Sequence, residues 1–178
     1  MKGLFNFFFT KKKISKQAKI LVLGLDNAGK TTILKTMTGE SLKNIQPTKG
    51  FTVKIFEKEN IKFTFWDVGG QKTLRNIWEN YFENNDALIY VIDSSDNNRI
   101  EESGKELRNL LEENLLCGIP LLIFANKQDL NLSLSPEEIM NQLNLNNIIN
   151  RKWTIVASSA ITKVGIVEGL EWLEKCLG

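Results

Sequence analysis

The residues 24–31, Gly-Leu-Asp-Asn-Ala-Gly-Lys-Thr, have the spacing G-x-x-x-x-G-K-[ST]. That spacing suits a loop whose backbone N–H groups wrap around phosphates. Lys30 is placed to reach the β- and γ-phosphates, and the Thr31 hydroxyl to ligate Mg²⁺. Gly24 and Gly29 permit backbone angles and a close approach that a Cβ would hinder. Leu25, Asp26, Asn27 and Ala28 supply further loop amides, and Thr32 continues into the helix whose positive end faces the anion. The context is right: an apolar run over 20–23 reads as a buried strand, and 32–37 reads as the first turns of a helix. The plain alternative is a glycine turn joining strand to helix.

Further polar residues stand where other strands end. Asp67-Val68-Gly69-Gly70-Gln71 closes one strand. Asp67 can hold Mg²⁺ through a water, the Gly70 N–H can meet a γ-phosphate, and Gln71 can orient an attacking water. Asn126-Lys127-Gln128-Asp129 closes another and fits an N-K-x-D guanine box. The Asp129 carboxylate can accept from guanine N1–H and N2–H₂, a donor pair that adenine lacks. Lys127 can lie over the base, and Asn126 can tie this loop to the phosphate loop. Ser158-Ser159-Ala160 follows a third strand, where an N–H of Ser159 or Ala160 could meet guanine O6. Thr48, in the polar loop 39–50, is the candidate second protein ligand to Mg²⁺; a lone loop threonine is otherwise simply solvated.

The elements that must position these residues alternate. Strands are expected over 18–23, 51–57, 61–67, 86–93, 120–126 and 153–158, with the second and third joined as a hairpin through 58–60. Helices are expected over 31–37, 99–116 and 164–177, and from the capping box Ser135-Pro136-Glu137-Glu138 onward. The stripe Leu107, Leu110, Leu111, Leu115 gives the second helix its buried face, and 71–82 is helix-compatible. This order predicts an α/β, three-layer fold: a mostly parallel six-stranded sheet with one antiparallel edge hairpin.

The chain has 178 residues, no His and two Cys. The length suits one domain. The absence of His excludes His-based acid–base catalysis and disfavours zinc, and Cys117 and Cys176 do not make a disulfide framework, so a reducing compartment is expected. No apolar run has membrane-span length, and no secretory signal is recognisable. Lys2, Lys11, Lys12, Lys13, Lys16 and Lys19 place +6 on the first 19 residues; since the whole carries +2, the remainder carries −4. Leu4, Phe5, Phe8 and Phe9, with Phe7 beside them, fall at helical spacings. Residues 1–17 therefore read as a basic amphipathic helix for a membrane surface or a groove of its own domain, with 18–178 as the main domain. The alternative is a disordered basic tail.

With these residues assembled, the chain resembles the ADP-ribosylation factor branch of small GTPases. GLDNAGKTT, PTKGF, WDVGGQ and NKQDL carry the resemblance, which covers essentially the whole chain. Within the branch it is most similar to the factor-like 3 subfamily, then to factor-like 2. The resemblance implies a P-loop GTPase (G domain) cycling between GDP and GTP with Mg²⁺. Residues 39–50 would be switch I and 68–81 switch II, and the hairpin between them would slide in register and release the N-terminal helix. Phe51, Trp66 and Tyr81 would form an aromatic effector patch; their plain reading is core packing. Residues 51–57 would be an open edge strand.

The implied partners are an exchange factor, an activating protein that supplies an arginine finger, and carriers of lipidated cargo in trafficking toward cilia. A weak membrane contact through 1–17, a monomer and no nucleic acid are expected. The implied setting is cytoplasmic, with peripheral membrane, cilium, Golgi or microtubule association. Two residues depart from the branch: Lys2 stands where acylated members carry glycine, and Lys49 puts a cation between Thr48 and Gly50. Switch I has no Arg, so Lys30, Mg²⁺ and backbone amides would give slow hydrolysis unaided, with Gln71 and Lys30 as the catalytic residues. Competing readings are a P-loop kinase or ATPase, a factor-like 2-type regulator of tubulin folding, and a nucleotide-locked interaction module.

Overall fold

The computed structural model describes residues 14–178, so the expected N-terminal amphipathic helix lies, up to Lys13, outside the described residues. Six strands form one sheet: β1 Lys16–Leu23, β2 Phe51–Lys58, β3 Ile61–Val68, β4 Ala87–Asp93, β5 Leu121–Asn126 and β6 Trp153–Ala157. Their order is β2-β3-β1-β4-β5-β6. Every neighbouring pair is parallel except β2 with β3. The helices are α1 Lys30–Met37, α2 Ile100–Glu112, α3 Pro136–Gln142 and α4 Ile166–Leu177.

The sheet is covered on both faces, which is why β4 and β5 read as continuous apolar runs. One face buries Ile20, Val22, Phe63, Phe65 and Phe124 against Ile33 and Leu34 of α1 and Leu170 and Leu173 of α4. The other buries Leu21, Leu88, Tyr90 and Ile123 against Leu107 and Leu110 of α2, Ile139 of α3 and Leu143 just after it. These are the three layers expected from the alternating elements. β1 lies between β3 and β4, so its carboxyl end is a topological switch point, where such sheets bind ligands.

Four details differ from the sequence expectation. β1 begins at Lys16, two residues into the segment assigned to the tail; the Lys16 ammonium donates to the carbonyl of Leu177. The hairpin closes through Glu59-Asn60 alone, because Glu59 takes a left-handed φ of 54°. The expected helix over 99–116 ends at Glu112, since Glu113 is extended (ψ 124°). A short 3-10 turn, Asn114–Leu116, follows. That break changes the phase, so Leu116 enters the core while Leu115 stays 55% exposed. Finally, Lys72–Tyr81 is 3-10 rather than α-helical, anchored by the buried Trp78, whose indole N–H donates to the Gly69 carbonyl (2.9 Å).

The α3 start is as the capping box predicts. Ser135 Oγ accepts from the Glu138 N–H, and the Glu138 carboxylate accepts from the Ser135 N–H. Among the described residues no helix is long and apolar enough to cross a membrane, and both cysteines are free.

Candidate functional site

The carboxyl ends of β1 and β3 and the N-terminus of α1 enclose a cavity of about 270 Å³. Asp26, Asn27, Gly29, Lys30, Thr31 and Thr32 line it from one side, Thr48, Gly70 and Gln71 from another, and Lys127 closes it. Residues spread over a hundred positions thus meet at one opening, because parallel strands deliver their carboxyl ends to the same edge.

The loop over 24–31 is locked by close approaches. A Cβ on Gly29, which has φ 97°, would lie 2.3 Å from Asn126 Nδ2, and one on Gly70 would lie 2.3 Å from the Gly24 carbonyl oxygen. The Gly70 carbonyl in turn accepts from the Asp26 N–H (3.1 Å) and from Arg75 Nε (3.0 Å). Lys30 Nζ donates to the carbonyls of Gly24 and Leu25, both at 2.9 Å. An ammonium has three donors, so the third is left for a phosphate. Burial lowers the Lys30 pKa from 10.5 to about 8, against the opposing pull of Asp67 and Asp26.

Three oxygen-bearing side chains converge beside it. Thr31 Oγ1 donates to Asp67 Oδ2 (2.6 Å) and lies 3.0 Å from Thr48 Oγ1. Thr48 Oγ1 is 3.3 Å from the same carboxylate oxygen. Asp67 is 1% exposed, and desolvation holds its pKa above the ordinary carboxylate value. Its other oxygen, Oδ1, is buried and has no partner among the described residues. Two hydroxyls and a carboxylate with a spare lone pair are the donors a hard dication takes, directly or through water. The residues present fit such an ion.

The residues expected to meet a base divide into buried and exposed. Asn126, 2% exposed, donates to the Ala28 carbonyl (2.9 Å) and accepts from the Ala160 N–H (3.1 Å). The Ser159 N–H is taken by the Val164 carbonyl (3.0 Å). The Ala160 N–H is thus held by Asn126, and the Ser159 N–H is committed within the fold. Lys127 is fixed by an ion pair with Asp93 (2.6 Å), which aligns its stem across the mouth of the cavity. Asp129 is exposed, lies beyond the cavity lining, and has no partner among the described residues. Gln71 is half-buried on the lining. The exposed Lys49 has no structural explanation.

The aromatic trio is assembled. Phe51 stacks on Trp66 at 5.3 Å between ring centroids, and Tyr81 lies 5.4 Å from Phe51 and 6.1 Å from Trp66. Phe51 pairs with Val68 and Val53 with Trp66 across the hairpin, so the first two rings are diagonal neighbours on one face. Lys19 Nζ sits over the Trp66 ring at 5.2 Å. Phe51, Val53 and Ile55 are 48%, 38% and 54% exposed along the edge strand β2.

A network of four ion pairs was not legible in the sequence. Asp26 Oδ1 accepts from Arg99 (3.1 Å) and lies 3.8 Å from Arg75. Arg75 also reaches Glu102 (2.7 Å) and Glu106 (3.0 Å) on α2. This network fastens the phosphate loop and the segment after Gly70 to α2. No spacing rule connects Asp26 with residues so distant in sequence. Asp93 was findable, since it ends a parallel strand at the ligand edge.

A sequence model of the ADP-ribosylation factor family matches residues 4–177. Among characterised proteins, ADP-ribosylation factor-like protein 3 of Chlamydomonas reinhardtii is 50% identical over 97% of this chain and 98% of its own length. ADP-ribosylation factor-like protein 2 of Dictyostelium discoideum is 47% identical over 97% of this chain and 94% of its own. The Arl6 BBS3 small GTPase of Trypanosoma brucei, solved with the nucleotide analogue GppNp, superimposes with a TM-score of 0.83 at 34% identity, over 89% of this chain and 96% of that one. The chain belongs to the ADP-ribosylation factor family and is a small GTPase.

Proposed function

We propose that this GTPase is a Mg²⁺-dependent switch whose GTP form makes carriers release lipidated cargo, as its likeness to factor-like protein 3 suggests. The observation that carries the reading is the adjacency of the aromatic trio to the cavity. Phe51 lies three residues after Thr48, and Trp66 directly precedes Asp67. A change in the Thr48 or Asp67 loops is thus passed to the exposed rings through the backbone of the same hairpin.

The reading gives each residue a role that the geometry supports. Lys30 and the loop amides hold the phosphates, with Gly24 to Gly29 forming the cradle. Thr31 and Thr48, with Asp67 through a water, would hold Mg²⁺, which would neutralise negative charge on the phosphates. The Gly70 N–H reads the γ-phosphate. Gln71 orients the attacking water from the cavity wall. Asn126, Lys127 and Asp129 select guanine. The edge of β2, apolar and unpaired on its outer side among the described residues, suits strand addition by a partner.

The deciding experiment is a pull-down from cell extract with GDP- and GTP-loaded protein. Retention of a lipid-binding carrier by the GTP form alone, followed by loss of its lipidated cargo, supports the proposal. Retention of tubulin-folding machinery instead would move the reading to the factor-like 2 type, and equal retention in both states would remove the switch.

A further inference from the structure

A second cavity, about 530 Å³, lies between α2 and the segment that follows α3. Arg151 stands two residues before β6 begins, and the Leu121 N–H at the start of β5 donates to Lys152. The cavity therefore sits at the amino ends of the strands, across the sheet's length from the phosphate loop. Its lining is mixed: the half-buried Leu111 of α2 and Ile148, with the exposed Ile149, offer apolar surface above the buried Leu107, Leu143 and Leu145, and polar side chains make up the rest.

The chain has four arginines, and they divide into two kinds. Arg75 and Arg99 are saturated by carboxylates around Asp26. Arg108 and Arg151 form no ion pair among the described residues, and both line this cavity. Arg151 Nη1 is buried without a hydrogen-bond partner among the described residues. Nη2 reaches only the Leu111 carbonyl, at 3.5 Å. A buried guanidinium nitrogen left unpaired is costly, and burial holds the Arg151 pKa below its ordinary value. Glu101 and Glu112, also on the lining, are exposed, and neither pairs with either arginine.

We propose that this cavity binds a small amphipathic carboxylate: an acyl chain against Leu111, Ile148 and Ile149, its carboxylate on Arg151 with Arg108 at the mouth. The chemistry is that of ordinary ligand clefts, some apolar surface beside a few convergent polar groups. A guanidinium fork matches a planar carboxylate and, unlike an ammonium, offers two parallel donors. The site is independent of the switch reading, since it shares no residue with the nucleotide cavity.

The test uses the full-length, GDP-loaded protein with octanoate as the probe, followed by NMR of the arginine Nε–H groups and leucine methyls. Saturable shifts at Arg151, Leu107 and Leu143, with a dissociation constant on the order of 1 mM or tighter, are expected. Arg151→Gln should weaken octanoate by about tenfold or more, Arg151→Lys by less, and 1-octanol should bind as weakly as octanoate does to the variant. Arg108→Gln, at an exposed position, provides a second reading if Arg151→Gln fails to retain GDP. Absence of saturation, equal binding of 1-octanol, affinity indifferent to both arginines, or shifts confined to the phosphate loop would each overturn the proposal.

Discussion

Asn126 Nδ2 donates a 2.9 Å hydrogen bond to the carbonyl of Ala28, joining loops 98 positions apart. The same carboxamide accepts from Ala160, so one side chain sets the spacing between the phosphate loop and both base-binding loops. Asn126→Ala leaves a buried carbonyl and a buried N–H unpaired, each costing about 1–3 kcal/mol. GDP release should be faster by roughly 10–100-fold, read from a fluorescent GDP analogue, and the melting temperature should fall. A dissociation rate equal to that of the unaltered protein would show that the loops hold their places without it.

Lys30 carries a pH signature. Its pKa is lowered to about 8, and an anionic phosphate beside it raises that value again. Above pH 8 nucleotide binding must therefore take up a proton, and affinity should fall as pH rises through 8, by up to about tenfold per unit. The stability of the nucleotide-free protein has the opposite slope. A lysine whose pKa is depressed on folding contributes stability that is present above the ordinary value and lost as pH falls through about 8. Lys30→Met should abolish both slopes; GDP titrations and melting curves across this range decide it.

Asp129 is exposed and unpartnered among the described residues, so Asp129→Asn should change stability by no more than about 0.5 kcal/mol. Its effect on binding should be large. Each hydrogen bond to a carboxylate is worth roughly 1.5–3 kcal/mol, and inosine diphosphate lacks one of the two donors. The unaltered protein should prefer GDP over IDP by about tenfold or more, and the variant should lose most of that preference. A preference that survives the substitution would place base selection elsewhere.

Gln71 lines the cavity; its carbonyl accepts from the Leu74 N–H, and its side chain has no hydrogen-bond partner among the described residues. Gln71→Leu should bind GTP as before and lose activator-stimulated hydrolysis. The two arginines nearest the phosphate loop, Arg75 and Arg99, are committed to Asp26 and its neighbours. Unaided turnover should accordingly be slow, rising by roughly 10³–10⁵ with an arginine supplied by an activator. Single-turnover assays check both statements, and unaided hydrolysis near 1 s⁻¹, on the order of an activated GTPase, would contradict the second.

Phe51 is the cleanest probe of the aromatic surface because it is 48% exposed. Phe51→Ala should leave GDP and GTP affinity unchanged while lowering carrier affinity of the GTP form by about tenfold or more, the behaviour of a buried interface anchor. Calorimetry with the captured carrier measures it.

The amino-acid sequence by itself determined the chemistry of the nucleotide site and the layer order. Both rest on short-range rules: the loop spacing Gly24 to Thr31 needs only its own strand and helix, the α3 cap needs four residues, and buried parallel strands announce themselves as apolar runs. What only the tertiary structure decided is where the chain breaks phase and which distant charges meet. Leu116 rather than Leu115 reaches the core because Glu113 turns extended, a choice made by packing on β4 and β5. Asp26 finds Arg75 and Arg99, and Lys127 finds Asp93, because parallel strands bring their carboxyl ends to one edge whatever their separation in sequence. The loop 24–31 is a phosphate cradle by composition; Asn126, Gly70 and the arginines around Asp26 give it its shape.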